Sequence, residues 1–252
     1  MIKEKRINKI HDYVIEQQHA SLDELVSVFN VSKNTIRRDV QMLVERGELK
    51  KVYGGVSAAA HRKLESLQER KTRNQEQKTS IVKKAASFVT DGDIIFIDSG
   101  TTTIEMFEYI KEKHLTIFTN SMEFIVRALP YEHLNVISIG GVLDRQTDSF
   151  GNPLNLDLLS DYNIKKAFMA STGISISIGV TNASPLESKL KKLIVKKSAE
   201  VYLLVDHDKF DQYGMMTYCG LDEIDYLITD RNPKPSYLEF AKKHTIRLVI
   251  AT

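Results

Sequence analysis

Two stretches of this chain carry side chains of the types, and at the spacing, that bind anions. The first is VSKNTIRRDV, Val31 to Val40. Turned at about 100° per residue, a helix there puts Ile36, Val40 and Leu43 on one side. Asn34, Arg37, Arg38 and Gln41 fall on the other. Such a helix docks through its apolar stripe and presents guanidinium and amide groups near its start, where a recognition helix meets base edges or backbone phosphate. Arginine pairs bidentately with guanine, and Asn34 can read adenine. Lys33 at the helix N-terminus opposes the macrodipole, so a phosphate partner suits it better than a stabilising role. Taken alone, two adjacent arginines also describe a solvated basic face.

The second stretch is FIDSGTTTIEMF, Phe96 to Phe107. An apolar run enters Gly100, and three threonines then open a helix. Glycine lets the backbone turn and approach a ligand closely, a helix start offers unpaired amides, and threonine hydroxyls add donors. Together these predict a phosphate seat. The loop lacks the Gly-Lys-Ser/Thr ending of a Walker A sequence and the GxGxxG of a dinucleotide site. The plainer alternative is that Thr101 or Thr102 caps the helix.

The elements around the first stretch make a package. Ile7, Ile10 and Val14 predict a helix from about Lys3 to Gln17. Ser21-Leu22-Asp23-Glu24 reads as a capping box opening a second helix buried through Leu22, Leu25, Val26 and Phe29. Asn30-Val31 turns, Ser32 caps the third helix, and Arg46-Gly47 ends it, glycine taking the left-handed cap. In GELKKVYGGV, Glu48 to Tyr53 reads as a strand and Gly54-Gly55 as a turn. This looks like the wing of a winged helix-turn-helix, which would put Lys50, Lys51 and Tyr53 near the DNA backbone or minor groove.

Residues 58–77 are polar, charged and without strand pattern, and read as a linker that becomes helical near Lys78, where Ile81, Val82, Ala85 and Phe88 take helical spacing. From Asp93 the pattern changes to apolar runs that end in small polar residues: DIIFI, LTIFT, LNVISI, KAFMA, EVYLLV and YLI. Helical stretches at Ile104 to Lys113, Met122 to Leu129 and Leu186 to Ser198 alternate with them. The fold class is therefore α/β, with a mostly parallel open sheet whose ligands sit outside the carboxyl ends of the strands. The expected domains are 1–57, a winged helix, and 78–252, an α/β domain, which the family resemblance given below makes a sensor and oligomerisation domain. At the strand ends, Gly140-Gly141 brings backbone to a ligand or simply turns. Lys191 and Lys209 can neutralise a phosphate, and Asp206 can accept from sugar hydroxyls; a basic helix face and a surface loop are the plainer readings.

Cys219 is the only cysteine, so an intrachain disulfide or a cysteine-based zinc site is excluded. The N-terminus has no signal-peptide core and no apolar run spans a bilayer, so a cytoplasmic protein without membrane contact is expected. Of the 252 residues, 42% are hydrophobic and 27% charged, with a net charge of +2, as in an ordinary globular chain; only the placement of charge argues for a partner. No nucleophile elbow, HExxH or paired His/Cys arrangement stands out. The seven histidines are scattered, and no catalytic residue, metal or cofactor is expected.

These residues resemble the DeoR family of bacterial transcriptional regulators from end to end. The likeness runs from Leu25 through VSKNTIRRD to KKVYGG, then through IFIDSGTTT, TNS, GG, KAF, the Glu187–Lys191 helix and DHDKF. It implies a winged helix joined to a sensor related in fold to ribose-5-phosphate isomerase, and a regulator, most often a repressor, released by its ligand. It implies double-stranded operator DNA, a phosphorylated sugar or sugar-acid effector, and a homo-oligomer, dimer or tetramer. It assigns DNA contact to Ser32, Lys33, Asn34, Thr35, Arg37, Arg38, Gln41, Lys50, Lys51 and Tyr53. It makes Asp98, Ser99, Gly100, Thr101 and Thr102 the phosphate loop, with Thr119, Asn120, Gly140, Gly141, Lys191, Asp206 and Lys209 as further pocket candidates. Thr172 stands where the family usually has an acidic residue before Gly173, and the loop after Asp206 reads HDKFDQ. NVSKNTIRRD, KVYGGV, DYNIKKAFMASTG, GVTN and VYLLVDHDKF look most like the inositol-catabolism repressor branch, which implies a phosphorylated keto-sugar acid. Two other classes stay open: a sugar-phosphate isomerase carrying an accessory DNA-binding domain, and a constitutive DNA-binding protein whose second half is a scaffold.

Overall fold

The computed structural model describes residues 3–17, 19–45, 48–58, 66–151, 159 and 161–251. Contacts divide the chain into two units, Met1–Leu64 and Glu65–Thr252.

The first unit runs α1 (Lys3–Gln17), β1 (His19–Ser21), α2 (Leu22–Phe29), α3 (Lys33–Glu45), β2 (Leu49–Val52) and β3 (Gly55–Ala58). Its core is the apolar stripes expected: Ile7, Ile10 and Val14 meet Leu25, Ile36, Val40 and Leu43, closed by Leu49 and Val56 from the strands. The capping box forms at the start of α2: Ser21 Oγ accepts from the Glu24 amide at 3.0 Å and the Ser21 amide donates to Glu24 at 3.2 Å. Asn30 ends α2 in the left-handed conformation, and the Thr35 amide donates to Ser32 Oγ at 3.2 Å, capping α3. The expected helix end at Arg46-Gly47 lies outside the described residues. Beneath α3, buried Asp39 accepts from Arg6 Nε at 2.6 Å and ties α3 to α1.

The hairpin turns one residue earlier than expected. Val52 pairs with Gly55, so Tyr53-Gly54 is the turn and Gly55 already belongs to β3. Gly54 needs glycine for its φ of 84°. Gly55 needs it for room, since a Cβ would run into the backbone of Ala20 and Ser21 on β1, which pairs along β3.

The second unit contains α4 (Leu67–Thr72), α5 (Gln75–Ala86), β4 (Ile94–Ile97), α6 (Phe107–Ile110), β5 (Leu115–Thr119), α7 (Met122–Ala128), β6 (Leu134–Ser138), β7 (Val142–Asp144), β8 (Ser149–Gly151), β9 (Ile164–Ala170), β10 (Gly173–Ser175), β11 (Gly179–Asn182), α8 (Pro185–Lys197), β12 (Ser198–Leu204), β13 (Met216–Cys219), β14 (Tyr226–Thr229), α9 (Pro235–Lys243) and β15 (Arg247–Ile250). Seven strands form one sheet in the order β15-β14-β12-β9-β4-β5-β6, every neighbouring pair parallel. Alternate residues feed two cores: Ile95 and Ile97 pack with Ile81, Val82 and Phe107, while Phe96 packs with Leu190 and Ile194. Helices cover both faces, which is why the strands read as continuous apolar runs. From β4 the chain moves outward to β5 and β6, then returns to lay β9 on the other flank of β4. The strand order thus reverses between β4 and β9, and such a reversal opens a crevice at the carboxyl ends.

Several elements differ from expectation. The helix expected at Ile104 to Lys113 is a 3-10 turn, Thr103–Met106, followed by the single turn of α6. β-branched residues run from Thr101 to Ile104, and Thr103 Oγ1 bonds the carbonyls of Asp98 and Gly100 at 2.6 and 2.9 Å, drawing the chain into the tighter turn. The stretch read as linker holds α4, opened by a capping box between Ser66 and Glu69, and α5 begins at Gln75 after Asn74 in the left-handed region. The antiparallel pairings β7–β8 and β10–β11–β13, helix α9 and strand β15 were not anticipated. Among the described residues no helix is long and apolar enough to cross a membrane.

Candidate functional site

On the first unit, Lys33, Asn34, Arg37 and Arg38 are exposed along α3, on the side away from Ile36, Val40 and Leu43. A groove of ≈ 880 Å³ separates this face from the hairpin, with Arg37, Arg38, Gln41 and Lys51 in its lining. Successive residues of a strand face opposite ways, and only Lys51 of the lysine pair lines the groove; Lys50 is exposed outside it. Tyr53 stands at the hairpin tip, fully exposed. Four of the expected contact residues are already engaged. Lys33 pairs with Asp23 at 2.5 Å, Gln41 donates to Glu45 at 2.7 Å, and the hydroxyls of Ser32 and Thr35 bond each other at 2.9 Å. These bonds are exposed and weak, ~0.2–1 kcal/mol for an ion pair of this kind, so a phosphate can displace them.

On the second unit, the reversal point between β4 and β9 carries the densest polar cluster. Asp98, at the end of β4, has no exposed surface. Its Oδ1 accepts from the Ser99 amide at 2.9 Å. Its Oδ2 accepts from the Ala170 amide at 2.9 Å and from Lys191 Nζ at 2.7 Å. Lys191 also donates to the Ala170 carbonyl at 3.1 Å and lies over the Tyr218 ring. One turn earlier on α8, Glu187 accepts from Ser149 Oγ at 2.6 Å, from Asn182 at 2.7 Å and from Ser99 Oγ at 3.4 Å; Asn120 donates to that same Ser99 hydroxyl at 3.1 Å. Burial pushes the Asp98 carboxyl up against the pull of Lys191, with Glu187 adding to the rise. Burial also opposes an ionised Glu187, but the charge of Lys191 and the bonds from Ser149 and Asn182 outweigh it and hold that carboxyl low.

The loop after Ser99 presents donors that the rest of the fold does not use. Among the described residues the amides of Gly100, Thr101 and Thr102 donate to nothing, and the Thr102 hydroxyl caps no helix end. The short 3-10 turn supplies no macrodipole, so the amides and hydroxyls themselves are the donors. Gly100 is required by crowding: a Cβ would meet the Cβ of Ala170 across the crevice. Two buried acceptors or donors nearby are unsatisfied, Asn120 Oδ1 and Ser171 Oγ.

The remaining expected residues divide. Thr119 is an internal brace, its hydroxyl donating to the Ile97 carbonyl at 2.8 Å and accepting from the Ser121 amide at 3.1 Å. Gly140 and Gly141, after β6, have φ of 63° and 110° and are glycines because of the turn. Asp206, at the end of β12, is buried and caps the following turn through the Asp208 amide at 2.9 Å; half-buried Lys209 follows it. Sequence reasoning passed over Glu187, Ser149, Asn182 and Lys78. Two of these carried a signal: Glu187 and Lys78 stand in line with the apolar stripes of their helices, where an ordinary charged side chain would not be buried. Among the described residues no group of His, Cys, Asp or Glu is placed to hold a metal ion.

Residues 6–62 match the family description "DeoR-like helix-turn-helix domain", and residues 73–231 match "DeoR C terminal sensor domain". The HTH-type transcriptional regulator IolR of Bacillus subtilis is 39% identical over 99% of this chain and 100% of its own length. The glycerol-3-phosphate regulon repressor of Escherichia coli is 28% identical over 98% of this chain and 99% of its own. Among solved structures, ribose 5-phosphate isomerase A from Neisseria gonorrhoeae gives a TM-score of 0.39 and 14% identity, over 53% of this chain and 52% of that one.

Proposed function

Since this chain belongs to the DeoR family of transcriptional regulators, we propose that it represses a sugar- or inositol-catabolic operon until a phosphorylated effector enters the crevice between β4 and β9. Arg37 and Arg38 of α3 read or grip the operator, with Asn34, Lys51 and Tyr53 beside them. The free amides of Gly100, Thr101 and Thr102 take the phosphate. The Ser99–Asn120–Glu187 network faces the hydroxyls of a sugar or sugar acid. The observation that carries this reading is the pairing of three unpartnered amides with a sealed polar cluster at the strand-order reversal, the place where open α/β sheets bind ligands. The inositol branch rests on the motif likeness from NVSKNTIRRD to VYLLVDHDKF and on the identity to IolR. The regulator works in the cytoplasm as a homo-oligomer, dimer or tetramer, on repeated half-sites.

The test is a gel shift with the DNA upstream of the protein's own gene, with and without a panel of sugar phosphates that includes inositol-pathway intermediates. Release by one compound names the effector class. Tight binding that no compound alters leaves the DNA-reading half and sinks the sensor.

One observation favours a second reading, an isomerase-like enzyme: Asp98, Glu187 and Lys191 converge although the sequence offered no placed acid and base. Their lone pairs argue against turnover. Both Asp98 oxygens and both Glu187 oxygens already accept bonds from the protein, leaving neither poised to take a substrate proton. Interconversion of pentose or hexose phosphates by the full chain would reverse that judgement.

A further inference from the structure

Helix α4 buries none of its six residues. It is far shorter than the roughly 12–15 residues at which a helix begins to hold alone in water, so its neighbours must hold it. They do so through polar contacts. The Arg70 guanidinium donates to the Gln146 carbonyl, in the turn between β7 and β8, at 3.4 Å. Lys71 Nζ pairs with Glu123 of α7 at 2.7 Å. The Arg70 carbonyl accepts from the Thr101 hydroxyl at 3.4 Å and from Lys78 of α5. At the corner into α5, Arg73 is extended and Asn74 left-handed, and their side chains both donate to Asp208, at 2.5 and 3.0 Å. The Asn74 bond, with Arg73 beside it, outweighs desolvation and holds that carboxyl down at about 2.

The anchors share a position. Thr101 follows β4, Glu123 follows β5, Gln146 follows β7 and Asp208 follows β12. Each stands two or three residues from a polar side chain at the carboxyl end of the sheet: Thr101 from Ser99, Glu123 from Asn120, Gln146 from Ser149, and Asp208 from Asp206. The turn His207–Lys209 joins the two sides within itself. Asp206 accepts the Asp208 amide at 2.9 Å, while the Asp208 carboxylate accepts from the end of α4. The short turns that line the crevice thus also fasten α4, and no buried apolar side chain of α4 keeps it in place when they shift. Partly exposed ion pairs are screened by salt, so a helix held this way is poised near balance between docked and released.

We propose that α4 is a polar strap that docks when the crevice is filled and thereby weakens operator binding. The inference rests on the effector reading above. An effector that bonds Ser99, Asn120 and Asp206 orders the turns that carry Thr101, Glu123 and Asp208, and so favours the docked helix. α4 is the first described element after the winged helix in the chain. Docked, it spans about 9 Å; released, the same residues reach up to about 20 Å. Docking therefore takes slack out of the tether that lets the winged helix settle on DNA.

The experiment compares the full chain with Asp208→Asn and Lys71→Met, without effector. Hydrogen exchange over residues 67–73 should be at least twofold faster in each variant, with α5 unchanged. Gel shifts on the protein's own upstream DNA, at one salt concentration, should show both variants binding at least twofold more tightly. The two substitutions change net charge in opposite directions, so a field effect on DNA would tighten one and weaken the other. Any other pattern of operator binding overturns the proposal, as does unchanged exchange over 67–73. If a variant fails to fold, chloride takes its place: raising it must speed exchange over 67–73 of the wild type and leave α5 alone, and equal exchange overturns the strap. Failure of these comparisons in a protein that a sugar phosphate still releases from DNA sinks the strap alone. A wild type that no sugar phosphate releases sinks the effector reading, and the strap's trigger with it.

Discussion

Asp98 and Lys191 show how a buried pair is read. Taking both ions out of water is expensive, so the pair is weak evidence of stability; removing one partner strands the other. Lys191→Met and Asp98→Asn are each expected to cost about 3–5 kcal/mol in urea unfolding, and the double variant less than the sum. Strictly additive losses would mean that the two ions do not depend on each other. Lys78 has the opposite pH signature to a paired ion. Its folded pKa of about 8 lies below the ordinary value near 10.4, so between these limits the unfolded chain binds the more protons. Wild-type stability relative to Lys78→Met should therefore rise with pH through that window, and a flat difference would place the ammonium in water. On the DNA face, Arg37→Ala and Arg38→Ala separate two roles. Loss of a base-edge contact should cost about 1–3 kcal/mol and relax specificity. Loss of a phosphate contact should weaken all sequences alike and reduce the salt slope by about 1. Gel shifts on the operator and on scrambled DNA at several salt concentrations distinguish them.

The crevice exists because two strand ends are brought together closely enough that Gly100 has no room for a side chain. Gly100→Ala should lower both the unfolding midpoint and sugar-phosphate affinity, because the new methyl collides with Ala170. Removing the opposing methyl gives the check: Gly100→Ala/Ala170→Gly should recover much of the loss. A double variant no better than the single one would mean that the glycine is needed for something else. Much of this architecture was readable in advance. Strands covered on both faces announce themselves as apolar runs, and α2 and α3 by their caps and stripes. What escaped had little to show. β1 is three residues, His-Ala-Ser, with no alternation, and β10 and β11 are rich in Gly, Ser and Thr, which read as loop. The turn after Gly100 was misread because the apolar spacing of Ile104 and Phe107 fits a helix, while the threonine hydroxyls that tighten it act only once Asp98 is in place. The same holds for the site: Asp98 and Lys191 were legible as polar residues at suitable places, but their contact across 93 residues is a product of the sheet order.

Regulation requires the two units to share free energy, whatever path it takes. An effector shifts operator binding only by its differential affinity for the DNA-bound and DNA-free forms. Linkage then makes the effect reciprocal: if the effector weakens operator binding by some factor, saturating operator must weaken effector binding by the same factor. For a repressor of this class the expected coupling is about 1–3 kcal/mol, roughly 5–150-fold. Calorimetric titration of the effector into the free chain and into the operator complex measures one side of the cycle, and gel shifts at zero and saturating effector measure the other. Equal factors are expected. Should operator affinity respond while effector affinity ignores the operator, the cycle would not close. The effector would then be acting on a species outside it, most simply on an equilibrium between single and associated copies of the chain, and running both titrations at several protein concentrations would expose that by their drift.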